Sequence, residues 1–110
     1  MQRRPFARGL GICLLGQAAG LCAAAAAVAE VRIAEYRFQP AVLTVPAGTT
    51  VRWVNAERRT SHTVRFPSEK IESDRLLPGE HWERRFDRPG RHAYDCGPHP
   101  EMKGEVVVEP

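Results

Sequence analysis

From residue 30 onward the chain is built of short apolar runs that alternate with polar residues between turn sequences, and no window holds a 3.6-residue apolar period. Val31 to Phe38 predicts a first strand. Its parity slips at Glu35, where Tyr36 and Phe38 take over from Val31 and Ile33, and the slip predicts a bulge. Val42 to Val45 predicts a second strand, closed by the turn sequence Pro46-Ala47-Gly48. Thr49 to Asn55 follows, with Val51 and Trp53 on one face. His62, Val64 and Phe66 share a face of a further strand after a polar loop. Pro67 to Gly79 is irregular, with a helical turn expected around 68–73. Trp82, Arg84 and Phe86 are in phase, as are His92, Tyr94 and Cys96, and Val106 to Val108 closes the set. About eight short strands of this kind predict an all-β fold, a two-sheet Greek-key β-sandwich.

The first 29 residues follow a different pattern. Arg3, Arg4 and Arg8 form a basic head, and Gly9 to Ala29 carries no charge. Ala27-Val28-Ala29 has the small-x-small form of a signal peptidase site. The expectation is an export signal over 1–29, cleaved to leave a single domain at 30–110. A retained anchor is the alternative, but the stretch is rich in Ala and Gly and no positive flank follows it. The head resembles both general secretory and twin-arginine signals and leaves the route open. The chain counts 16 Lys+Arg against 13 Asp+Glu, and the three presequence arginines account for the excess. A balanced domain gives no argument for nucleic acid or for an anionic membrane surface.

Cys13 and Cys22 leave with the presequence, so Cys96 becomes the only thiol. An exported domain this small, with no internal disulfide, needs another staple. Tyr94-Asp95-Cys96-Gly97-Pro98-His99-Pro100-Glu101-Met102 offers one: a thiolate, an imidazole and a thioether three residues apart. These are the donors copper prefers, and His62 supplies the second imidazole of a trigonal site with a weak axial Met102. Pro98 and Pro100 stiffen the loop and remove two backbone N–H groups from the vicinity of the sulfur, which lowers the reduction potential. The alternative assignment makes Cys96 a small buried hydrophobe, Met102 a core filler and His99 a surface residue. Zinc suits the set less well, because a thioether is a poor zinc ligand. His92 lies about 13 Å along the strand from Cys96 and cannot share the site. His81 reads as a surface residue, and Trp53, Trp82 and Tyr94 as core aromatics.

Nearly all of 31–109 resembles the type 1 blue copper (cupredoxin) family, in its amicyanin and pseudoazurin branch. The resemblance rests on Phe38-x-Pro40, Val45-x-Ala47-Gly48 and Val51-x-Trp53-x-Asn55. It continues through Ser61-His62-Thr63-Val64 and Tyr94-x-Cys96-x-Pro98-His99-Pro100-x-Met102-x-Gly104. It implies an eight-stranded sandwich with one copper ion at one end, and His99 presenting its ring edge to solvent as the electron exit. Family members often carry Asn after the upstream His and Ser or Thr after the Cys, hydrogen-bonded to tie the two ligand loops. Thr63 and Gly97 stand there instead, so the tie is either absent or rebuilt.

The function expected is one-electron transfer in the periplasm by Cu(I)/Cu(II) cycling. Partners would be redox proteins such as a cytochrome c or a periplasmic dehydrogenase or reductase, docking near His99 on the apolar patch of Pro98 and Pro100. The domain is expected to be monomeric and free of the membrane after signal cleavage. Arg58, Arg59, Arg84, Arg85 and Arg88 are candidates for a positive surface. Copper delivery without redox cycling would use the same ligands. An enzyme is disfavoured, because the donor set leaves no open position for substrate.

Overall fold

The computed structural model describes residues 27–110, and residues 1–26, with most of the expected export signal, lie outside the described part. The described residues form nine strands: β1 (Val28–Ala34), β2 (Arg37–Gln39), β3 (Val42–Pro46), β4 (Thr49–Asn55), β5 (Arg65–Phe66), β6 (Ile71–Glu72), β7 (His81–Phe86), β8 (Gly90–Asp95) and β9 (Lys103–Glu109). One sheet runs β2-β1-β4-β7 and the other β3-β9-β8-β5-β6. Both are mixed, because β1 runs parallel to β4 and β3 parallel to β9. Among the described residues no helix is long and apolar enough to cross a membrane.

The alternation places the core. Val31, Ile33, Val51, Trp53, Phe66, Phe86, Tyr94, Val106 and Val108 point between the sheets and are buried. Trp53 sits at the centre, edge-on to Phe66 and Tyr94 and against Trp82 and Phe86. Gly104 lies beneath the Tyr94 ring, and a Cβ there would collide with the ring carbons.

Three expectations are corrected. The parity slip at Glu35 is not a bulge. Glu35 and Tyr36 both adopt the left-handed region (φ 56° and 57°) and form a two-residue hairpin turn between β1 and β2. Two consecutive left-handed residues match the twist of a hairpin, which explains why the parity restarts. The strand expected over His62 to Phe66 shrinks to Arg65–Phe66, with His62 joined to Leu76 by an isolated bridge. The irregular segment carries a 3₁₀ turn at Pro67–Glu69 followed by β6, not a helical turn reaching Ser73. At the other boundary, β1 begins at Val28, so Val28 and Ala29 already pair with Thr50 and Val51.

Arg84 follows the inward parity of β7. Its guanidinium lies 4.5 Å and 4.4 Å from the ring centres of Phe66 and Phe86 and donates to Glu69 at 2.6 Å. His92, buried, meets the other Glu69 oxygen at 2.9 Å. Burial opposes ionisation of Glu69, but Arg84 and His92 outweigh it and hold the carboxyl below its ordinary 4.5. A carboxylate depressed in the folded state stabilises fully above its unfolded pKa, and that stability is lost as pH falls through the folded value. Glu69→Gln therefore lowers the unfolding free energy by about 2 kcal/mol at pH 7, the worth of hydrogen bonds to a charged group. The difference from wild type shrinks as the pH drops below 4.5. Melting temperatures of both proteins between pH 7 and pH 3 check this, and a gap that widens in acid would contradict it.

Candidate metal centre

The pattern of β8 carries Cys96 inward behind Tyr94, and the backbone then folds back twice. His99 N–H donates to Cys96 O (3.2 Å), Met102 N–H to His99 O (2.9 Å), and Cys96 N–H to Met102 O (3.2 Å). The three-residue spacing of the donors is thus the repeat of successive turns, and it returns Met102, itself buried, to the start of the loop. His62 arrives from the opposite side. Its N–H and C=O both bond Leu76 (3.1 Å and 2.8 Å), and its side chain is fully buried.

Cys96 Sγ lies 3.5 Å from His62 Nδ1 and 3.6 Å from His99 Nδ1. All three donor atoms fall within 4.8 Å of one another. Metal–sulfur and metal–nitrogen bonds of about 2.3 Å and about 2.0 Å at trigonal angles would separate S from N by about 3.7 Å. The observed separations fit a single ion without movement of the side chains, and a soft thiolate with two imidazoles is a donor set suited to copper.

The sequence matches the Cupredoxin-like domain family over residues 8–108. The chain belongs to the cupredoxin-like family. It is 39% identical over 85 residues to amicyanin-alpha of Methylorubrum extorquens, covering 73% of this chain and 71% of that protein. A Cu(I) amicyanin structure superposes with a TM-score of 0.72 at 29% identity, over 80% of this chain and 88% of the other. A copper-containing nitrite reductase from Thermus scotoductus superposes with a TM-score of 0.70 at 30% identity, over 74% of this chain but only 22% of the enzyme. The similarity to the enzyme therefore covers a minor part of it.

In this cupredoxin, Asn55, at the end of β4, organises the loop that delivers His62. Its amide donates to Thr60 O and Leu76 O, both at 2.9 Å, and its oxygen accepts the Glu57 N–H at 3.0 Å. Glu57 then accepts the His62 Nε2–H at 3.1 Å. A carboxylate on Nε2 leaves Nδ1, the nitrogen facing the sulfur, with its lone pair free for a metal. Burial holds the His62 imidazole below its ordinary range, although Glu57 pulls the other way. Burial disfavours the Glu57 anion too, but the Tyr36 N–H and His62 outweigh it and keep the carboxyl low. Both effects favour a neutral, metal-ready imidazole beside an ionised carboxylate.

The alternation puts Tyr36 in phase with Phe38, yet the turn carries it out to half exposure. Its ring stands edge-on to both His62 and His99, with centroids 5.5 Å and 5.1 Å away. Its hydroxyl meets Thr60 Oγ1 at 3.0 Å, and its N–H donates to Glu57 at 2.8 Å. A non-glycine residue in the left-handed region costs about 1 kcal/mol or more. These contacts hold it there. Glu57 and Tyr36 were not visible as site residues. The parity slip marked the place, but no Asn or Gly announced the turn.

Thr63 and Gly97 do tie the two ligand segments, by a backbone donor: Gly97 N–H to Thr63 Oγ1 at 2.9 Å. Pro98 and Pro100 are exposed on either side of His99, whose own side chain is half-buried. His92 and His81 stand apart from the centre, as expected, the first buried and the second exposed. The five arginines do not form one surface. Arg58 and Arg59 sit in the loop before His62, whereas Arg84 and Arg85 face Val51 and Thr50, further along β4 from Asn55. Arg84 is held by Glu69 and Arg85 by Asp87.

Proposed function

We propose that this chain is an exported one-electron carrier in which His62, Cys96, His99 and Met102 hold a single copper ion. The observation that carries the reading is the preformed donor cluster: two imidazole nitrogens at 3.5 Å and 3.6 Å from one buried sulfur. When bound, copper supplies a Cu(II)/Cu(I) couple. The chain's own contribution is rigidity. His62 is fixed by Glu57 and Leu76, and Cys96, His99 and Met102 by three backbone hydrogen bonds within one loop. Donors that need not move between states keep the reorganisation small. Burial of Cys96, His62 and Met102 excludes water. His99 is the one donor with an exposed edge, and the proline faces beside it form the place for a redox partner, such as a cytochrome c or a periplasmic dehydrogenase or reductase.

The periplasmic location follows from the basic head, uncharged stretch and small-x-small site of residues 1–29. A cut after Ala29 would shorten β1 by two residues at its open end, where Val28 is exposed. The similarity to one part of a nitrite reductase does not make this domain an enzyme. Four ligands would fill the ion, leaving no position for substrate.

The test is the visible and electron paramagnetic resonance spectrum of the copper-loaded protein, followed by a one-electron titration. An intense thiolate-to-copper band and a reversible single-electron step are expected. A pale, ordinary cupric spectrum would overturn the reading. Rapid loss of copper to a chelator with sluggish electron exchange would favour copper delivery instead.

A further inference from the structure

Gly97 and Glu72 are two halves of one arrangement. The backbone of Gly97 lies outside the left-handed region, so its conformation does not require glycine. Space does. A Cβ at 97 would overlap the Glu72 carboxylate and approach Thr63 Oγ1 to 2.9 Å. Where family resemblance leads one to expect a side chain after the cysteine, this chain inserts a carboxylate from β6.

The hydrogen bonds show what the carboxylate does. A threonine hydroxyl has one proton. Thr63 Oγ1 gives it to Glu72 Oε2 at 2.8 Å, so its lone pairs are turned to the Gly97 N–H at 2.9 Å. Thr63 follows His62 and Gly97 follows Cys96, so the pair links the two segments directly beside two donors. Glu72 is itself placed by the pairing of β6 with β5, opposite Arg65. The Arg65 guanidinium is committed to Asp95, to which it donates at 2.8 Å and 3.0 Å. Asp95 precedes Cys96. Glu72 and Asp95 therefore both lie beside the thiolate segment, with Arg65 held by Asp95 and Lys103 opposite Asp95 on β9.

We propose that Glu72 is a positioning residue of the copper centre: it locks Thr63 between the His62 and Cys96 segments, and its charge lowers the reduction potential. The proposal rests on the copper reading above. A negative charge near the ion favours Cu(II) over Cu(I), since the more positive state gains more.

Two measurements test it. Glu72→Gln keeps the shape and an acceptor for Thr63 but removes the charge. Its potential is expected to rise, with the visible spectrum retained. An unchanged or lower potential would overturn the electrostatic half. If wild type itself shows no thiolate-to-copper band, the copper reading fails, and that outcome is distinct. The second measurement needs no metal. In the metal-free protein, Gly97→Ala is expected to lower the urea midpoint, because the new methyl displaces the Glu72 carboxylate from Thr63, and to lower it less beside Glu72→Ala, where only the Thr63 contact remains. Additive losses in this double-mutant cycle would overturn the positional half.

Discussion

Trp53→Ala lowers the unfolding free energy of the metal-free protein by about 3–5 kcal/mol. Trp53 is fully buried and touches four other aromatic rings drawn from both sheets. A domain of this size has a total stability of roughly 4–13 kcal/mol at about 0.05–0.15 kcal/mol per residue. The variant therefore sits near the edge of folding. Urea unfolding followed by circular dichroism measures the loss, and a change below about 1 kcal/mol would contradict a core centred on this ring.

Cys96→Ala abolishes the intense visible band and, with it, most of the stabilisation that copper gives. The metal-free variant loses little, because alanine is only slightly smaller than a buried thiol; about 1 kcal/mol is expected. The copper-bound comparison is far larger. An ion that binds only the folded state adds about 2.7 kcal/mol at a hundred times its Kd. That raises the wild-type melting temperature by roughly 10–20 °C at about 4–8 °C per kcal/mol. Thermal scans of both proteins with and without Cu(II) check the point. A variant that melts as high as wild type in copper would show that the thiolate is not a ligand.

Much of this was legible in the chain because the periodicities that matter are local. Val51, Trp53 and Asn55 alternate cleanly, since β4 is covered on one face, and a register slip there would expose the tryptophan. Cys96, His99 and Met102 were readable because their spacing is itself a backbone repeat. What escaped depends on the third dimension. Glu35-Tyr36 makes a hairpin turn without the residues that usually signal one, and its cost is offset by contacts to loops 20 or more positions away. Glu57 and Glu72 look like any other surface acid in the sequence. Their roles appear only when the β4–β5 loop and β6 are folded onto the two histidine-bearing segments. Arg84 followed the predicted inward parity of β7, but nothing in the sequence indicated that Glu69 and two phenyl rings would receive it.

The order of the strands has a consequence for the timing of assembly. β9 is the last in order of the described strands, yet it lies inside its sheet, with β3 parallel on one flank and β8 antiparallel on the other. Val42 pairs with Glu105, 63 positions further along the chain. Contacts between such distant positions close late, because the loop between them must be ordered first. The turn from β8 to β9 carries Cys96, so the thiol stays accessible until the final strand docks. During that interval it is open to oxidation or to stray metal, and Met102, whose C=O closes the loop on the Cys96 N–H, is not yet in place. Metal capture in this protein is therefore expected to follow completion of the second sheet.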